Sequence, residues 1–190
     1  MSALNELEAL LRERSLVFGD FILASGQKSS YYIDARKTTM AAKGQRCIGA
    51  LGLELIRGRG WKPAAVGGLT MGADPVAYAI ARASLDSPPI IEGFSVRKAT
   101  KEHGTKRRVE GNFEPGLAVV IVEDVLTSGG SATQAVEAVR SEGGLVLGVL
   151  AVVDREQGGV AAIQGIGVEV ACITNITRLL AQPRTGDNSK

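Results

Sequence analysis

Between Val119 and Ala132 the chain reads VVIVEDVLTSGGSA. Four apolar residues run into Glu123 and Asp124, and these into a loop of Thr127, Ser128, Gly129, Gly130 and Ser131. Glycines let a backbone wrap an anion, hydroxyls add donors, and the unpaired N–H groups of a helix start favour phosphate. No Gly-Lys-Ser/Thr closes the loop, so it is not a Walker A loop, nor does it carry a dinucleotide Gly-x-Gly-x-x-Gly fingerprint. Two carboxylates would repel a triphosphate unless metal intervened, but they accept well from vicinal hydroxyls. A phosphate beside a sugar diol describes a ribose 5-phosphate. The competing reading has the acids merely cap or neutralise the helix that follows.

A second cluster, RKATKEHGTKRRVEG from Arg97 to Gly111, holds six cations (Arg97, Lys98, Lys101, Lys106, Arg107, Arg108) and the only histidine, His103. Few apolar residues and two glycines make it a mobile loop between strands. Taken alone it is a solvated charge run or, less well, an RNA-binding patch, since no stacking aromatics are interleaved. Arg155 follows a strand end and has Asp154 and Glu156 beside it as surface partners. Tyr31 and Tyr32 taken singly are half-buried packing.

Positioning such groups requires a scaffold, and the apolar pattern supplies one. Leu4, Leu7 and Leu11 after Ser2 predict an opening amphipathic helix. A strand or hairpin around Phe21 to Leu23, the turn SGQKSS and the strand YYIDAR follow, then a helix from Met40 to Arg57. AAVGGL, PIIEGFSV, LAVVIVED, LVLGVLAVVD and VEVACIT are apolar strands. Asp74-Pro75 offers an N-cap and first helical position between two of them. Ala132, Ala135, Val136 and Val139 share one helical face, which Gly143-Gly144 ends. Strands alternating with helices predict an α/β fold with a mostly parallel central sheet flanked by helices. A single domain over 1–190 is expected, with an N-terminal part at 1–40, a core at 41–182 and a frayed tail at 183–190.

Bulk properties exclude several classes. With 45% hydrophobic and 22% charged residues the chain is globular rather than disordered. A net charge of +2 gives no general nucleic-acid footprint. Cys47 and Cys172 form neither a disulfide framework nor a zinc motif. SALNELEALLRERS lacks the apolar centre of a signal peptide, and the apolar run from Leu145 to Val153 is too short for a bilayer span. The expectation is a cytoplasmic protein with no membrane and no nucleic-acid partner.

The whole string VVIVEDVLTSGGSA resembles the phosphoribosyl-pyrophosphate motif of type I phosphoribosyltransferases. The resemblance implies that fold, with a small N-terminal hood contributing to the base site. It also implies that Glu123 and Asp124 hold ribose hydroxyls while Val125, Leu126, Thr127, Ser128, Gly129, Gly130 and Ser131 cradle the 5-phosphate. FGDFILASGQKSSYYID, from Phe18 to Asp34, and the Arg-Lys-x-x-Lys-x-His-Gly pattern at 97–104 are similar to orotate phosphoribosyltransferases. From these the resemblance implies a pyrimidine floor at Tyr32 and Ile33, and orotate contacts from Thr127 and Arg155. It further implies catalytic cations at Arg97, Lys98, Lys101 and His103, closing over a neighbouring subunit's substrate. GLTMGADP resembles the family's pyrophosphate loop, with N–H groups near Thr70, Met71 and Gly72 meeting the leaving group. Two departures stand out: Ala24 and Met71 occupy places where relatives carry lysine, and Lys28 is the stand-in for the first. The implied activity joins orotate to 5-phosphoribosyl 1-pyrophosphate. Mg²⁺ is carried by the pyrophosphate and ribose hydroxyls with no direct protein ligand, and a homodimer shares the 97–111 loop. The rivals are transfer to another base and a non-catalytic sensor of the sugar pyrophosphate.

Overall fold

Ser2 begins the first helix as its pattern requires: its Oγ accepts from the Asn5 N–H at 3.2 Å and caps α1, Ala3–Leu10. A π-helical turn, Leu11–Ser15, continues it, and Leu7 and Leu11 are fully buried. The computed structural model describes residues 2–22, 28–99 and 107–181. Lys101, His103, Lys106, Ala24 and the expected tail lie outside them. Strands β1 (Leu16–Ile22) and β2 (Lys28–Ile33) pair antiparallel as a separate two-stranded ribbon, which is the expected hood.

The helix expected from Met40 to Arg57 is α3, Ala42–Gly58, and a short helix that the pattern does not reveal, α2, Arg36–Thr39, precedes it. Then come β3 (Ala65–Leu69), α4 (Ala73–Asp86), β4 (Glu92–Val96), β5 (Val109–Gly111), β6 (Ala118–Leu126) and α5 (Gly130–Ser141). They are followed by β7 (Leu145–Asp154), α6 (Gly159–Gly165), β8 (Val170–Asn175) and α7 (Ile176–Ala181). The sheet order is β5-β4-β3-β6-β7-β8. All neighbours are parallel except β5, a short antiparallel edge strand inside the cationic segment that the apolar pattern does not reveal.

Two apolar layers cover the sheet, and β6 shows why its residues must alternate. Val120 and Val122 face a core shared with Ile48, Ile56, Val76 and Ile80 of α3 and α4. Val119 and Ile121 face the other, with Ala135, Val136 and Val139 of α5. Burial on both faces is what makes a parallel strand read as a continuous apolar run. Removing one such side chain, as in Ile121→Ala, costs about 2–5 kcal/mol. Because β3, β4, β6 and β7 run the same way, their carboxyl ends meet at one edge of the sheet, where open α/β folds bind ligands. Both cysteines are free, and burial pushes the Cys172 thiol up to about 12. Among the described residues no helix is long and apolar enough to cross a membrane.

Candidate active site

At the end of β6 the two acids differ in setting. Glu123 is 6% exposed, and its Oε2 has no hydrogen-bond partner among the described residues. Burial first, and the neighbouring Asp124 charge second, push its carboxyl from an ordinary 4.5 up to about 9. At neutral pH it therefore holds its proton and can donate as well as accept. Asp124 is half-buried, and its Oδ1 accepts from the Val125 N–H at 3.0 Å. A side chain at Gly72 would meet Asp124 directly, since a Cβ there falls 2.6 Å from Oδ1. Only glycine lets the turn at Gly72 come against the end of β6.

Beyond the acids, Glu123, Val125, Leu126 and Thr127 to Ser131 enclose a pocket of about 90 Å³. Gly129 makes the turn into α5 with φ +85°, a left-handed conformation that glycine adopts without strain. The amides of the following turn thus face the pocket as orphan donors.

A larger cleft of about 410 Å³ opens beside it and gathers residues from five places in the chain. The hood contributes Tyr32 and Ile33, the segment after β3 contributes Thr70, Met71 and Gly72, and Lys98 follows β4. Glu123, Asp124, Val125, Thr127 and Ser131 come from β6 and its loop, and Arg155 from the end of β7. Most of the residues named from sequence therefore converge. Lys28 does not line the cleft; it is exposed at the start of β2. Arg97 does not either, because its guanidinium lies 3.6 Å from Glu110. The Thr70 N–H is also engaged, donating to the Val96 carbonyl at 2.8 Å. Of the three loop amides named from sequence, those of Met71 and Gly72 donate to no partner outside α4 among the described residues.

Arg155 decides the chemistry of the other end. It is 8% exposed, and its Nε and Nη2 have no hydrogen-bond partner among the described residues. The surface pairing is overturned: Asp154 accepts from the Glu156 N–H at 2.8 Å, and Glu156 accepts from Thr177. The guanidinium instead lies over the ring of Tyr31, 5.4 Å from its centroid. A buried cation with free, coplanar donors suits a carboxylate.

Sequence reading missed several contributors. Asp34, Ala35 and Arg36 also line the cleft, with Arg36 Nε donating to Asp34 Oδ1 at 2.8 Å. That bond holds the Asp34 carboxyl below its usual range. The run YYIDAR carried this signal, an acid and a base two apart at a strand end. Asp74 is not an N-cap; Gly72 is, and the Asp74 carboxylate accepts from Thr70 and Ser95 hydroxyls. The Thr70–Met71 peptide bond is cis.

Residues 43–175 match the family model described as phosphoribosyl transferase domain. Orotate phosphoribosyltransferase from Rhodopirellula baltica is 44% identical over 93% of this chain and 94% of its own. The chain belongs to the orotate phosphoribosyltransferase family. The Aquifex aeolicus orotate phosphoribosyltransferase is 46% identical over 92% of this chain and 96% of its own. The crystal structure of the Mycobacterium tuberculosis orotate phosphoribosyltransferase with 5-phospho-alpha-D-ribosyl 1-diphosphate superposes with TM-score 0.81 at 38% identity, covering 94% of this chain and 99% of that one. The domain model starts after the hood, whereas the full-length orotate phosphoribosyltransferases take in the hood too.

Proposed function

We propose that the cleft binds 5-phosphoribosyl 1-pyrophosphate and orotate, and that the protein makes orotidine 5′-monophosphate and pyrophosphate in de novo pyrimidine (UMP) synthesis. One observation carries the choice of base: Arg155 is buried, its Nε and Nη2 have no hydrogen-bond partner among the described residues, and it lines the same cleft as the acids. Orotate differs from uracil by a carboxylate, the group such a guanidinium takes in bidentate fashion.

The bond from ribose C1′ to pyrophosphate breaks, a bond from C1′ to orotate N1 forms, and the proton of N1 is lost to the departing pyrophosphate or to solvent. In this reading the loop from Thr127 to Ser131 takes the 5-phosphate on its amides and hydroxyls. Asp124 accepts from one ribose hydroxyl, while Glu123, holding its proton, offers a donor beside it. Tyr32 and Ile33 form the floor for the pyrimidine, with Thr127 at its edge. The Met71 and Gly72 amides and Lys98 receive the leaving group, whose charge grows as C1′ becomes oxocarbenium-like.

Mg²⁺ is required in this reading. Among the described residues no three metal-ligating side chains converge, yet the cleft wall around the acids offers oxygen donors, which suit this ion. In this reading the pyrophosphate and the ribose hydroxyls of the substrate would hold it beside Glu123 and Asp124. When bound, Mg²⁺ offsets charge on the phosphate oxygens.

Lys98 enters its own cleft, whereas the adjacent Arg97 turns away toward Glu110. On the family resemblance alone, the reading includes a homodimer in which the 97–111 segment serves two sites, with Arg97, Lys101 and His103 acting on the partner's substrate. We place the reaction in the cytoplasm. The test is consumption of orotate by the purified protein with phosphoribosyl pyrophosphate and Mg²⁺, beside uracil, hypoxanthine and adenine. Turnover of orotate alone is expected; turnover of an uncharged base instead would overturn the role given to Arg155.

A further inference from the structure

Asp74 occupies the second position of α4, yet its carboxylate caps no helix. Each oxygen is taken by a different hydroxyl: Thr70 Oγ1 donates to Oδ2 at 2.6 Å and Ser95 Oγ to Oδ1 at 2.7 Å. A serine hydroxyl has one proton to give. Ser95 has given it to Asp74, so in its 3.0 Å contact with the Tyr78 hydroxyl it must accept. The chain is therefore polarised, from Tyr78 to Ser95 to Asp74, with Thr70 arriving from the other side. Bonds to an ionised carboxylate are the stronger kind, about twice a neutral one.

The ends of this chain matter more than its middle. Thr70 opens the loop that lines the leaving-group side of the cleft, and Ser95 is the penultimate residue of β4. Three residues past Ser95 stands Lys98, on the same cleft wall. The loop is thus bonded to β4 twice, once through the Thr70 N–H on Val96 and once through Asp74.

We infer that Asp74 is a positioning residue, which ties the Thr70–Gly72 loop to the strand delivering Lys98 and so fixes the spacing of donors around the leaving pyrophosphate. It touches no substrate atom; it acts through Thr70 and Ser95. The inference rests on the reading of this loop as the pyrophosphate site. A helix-dipole role would weaken the fold and affect all ligands alike, whereas positioning acts on one end of the cleft only.

Asp74→Ala, Asp74→Asn and Ser95→Ala would be assayed in both directions against the wild type. A misplacement of donors on this scale costs on the order of tenfold or more. Asp74→Ala is expected to raise the KM values of phosphoribosyl pyrophosphate and pyrophosphate about that much. The KM values of orotate and of orotidine 5′-monophosphate, which carry no pyrophosphate, should stay within about twofold. Asp74→Asn, keeping one acceptor, should fall between, and Ser95→Ala should add nothing to Asp74→Ala. Equal shifts for all four ligands, or a lowered Tm with no selective shift, would overturn the inference. Calorimetric binding of pyrophosphate with Mg²⁺ separates this from the choice of base. Tight binding by the wild type and weak binding by Asp74→Ala would uphold the role of Asp74 even if orotate proved not to be the acceptor. Equal binding, or no binding by the wild type, would refute it.

Discussion

The two ends of the cleft are built in different ways. The end proposed for the sugar phosphate comes from one unbroken stretch, Glu123 to Ser131, where a strand ends and a helix begins. Its donors are mostly backbone, set by Gly129 and the first turn of α5. The ends proposed for the base and the leaving group are assembled from the hood, the segments after β3 and β4, and the end of β7. There each working side chain leans on another: Arg155 on Tyr31, Thr70 on Asp74, Arg36 on Asp34. A contiguous backbone site is held by the fold itself. A dispersed one depends on residues that never meet the ligand.

The largest expected effect lies at the dispersed end. Arg155→Met removes the two donors, and the charge, that are proposed to face the orotate carboxylate. Hydrogen bonds between charged groups contribute about 1.5–3 kcal/mol each, so kcat/KM for orotate should fall about 100-fold or more. The KM for phosphoribosyl pyrophosphate should stay within about threefold. Thermal unfolding gives a second reading: a buried cation without an ionic partner opposes folding, so Tm should hold or rise. A parallel loss for both substrates would mean that the two ends are not independent.

Next comes Glu123, the buried acid of the contiguous end. Its folded pKa is raised from 4.5 to about 9, so the folded state binds the proton more tightly than the unfolded chain does. Below pH 4.5 both states are protonated and nothing is lost. As pH rises toward 9 the unfolded chain gives up the proton first, and stability drains away. Relative to Glu123→Gln, which has no proton to release, wild-type stability should decline by up to about 1.4 kcal/mol per pH unit in that window. Urea titrations of both proteins at pH 6 and 8 measure the difference. A constant difference would show that Glu123 is ionised throughout.

The contrast also accounts for what the sequence allowed one to read. Parallel strands buried on both faces announce themselves as apolar runs, which is why β3, β6 and β7 were legible. The contiguous end was legible because its chemistry is contiguous: acids, hydroxyls and glycines sit in reading order. The supporting residues were not. Asp74-Pro75 has the same pattern whether the acid caps a helix or accepts from Thr70 and Ser95, and only the arrival of β4 decides. Tyr31 and Tyr32 are adjacent, and which of them meets Arg155 depends on how the hood is set against the end of β7. β5 is three residues long inside a cationic run and owes its existence to pairing with β4 rather than to its own pattern.

A smaller effect is expected from Gly129→Ala. The new Cβ would lie 3.1 Å from the Gly159 carbonyl oxygen, at a φ of +85° that costs an L-residue about 1–2 kcal/mol. The KM for phosphoribosyl pyrophosphate should rise about fivefold to thirtyfold, in line with that strain. The orotate KM should not move. If it does, the backbone of the contiguous end also shapes the base site.

The smallest effect is the sharpest test of the dispersed end. The Tyr31 ring lies 5.4 Å from the Arg155 guanidinium and also packs on the core beside the hood. Cation–π contacts are worth about 0.5–2 kcal/mol, so Tyr31→Leu should raise the orotate KM about twofold to thirtyfold. Tyr31→Phe keeps the ring face and should match the wild type, since the attraction lies in the face and not in the hydroxyl. Loss of packing alone would lower Tm and disturb both substrates, whereas loss of the platform under Arg155 touches orotate only. In the Arg155→Met background the platform has nothing to hold, so Tyr31→Leu should then leave the orotate KM unchanged. An additive double mutant would mean that Tyr31 meets the base directly and that the guanidinium is oriented by the surrounding backbone instead.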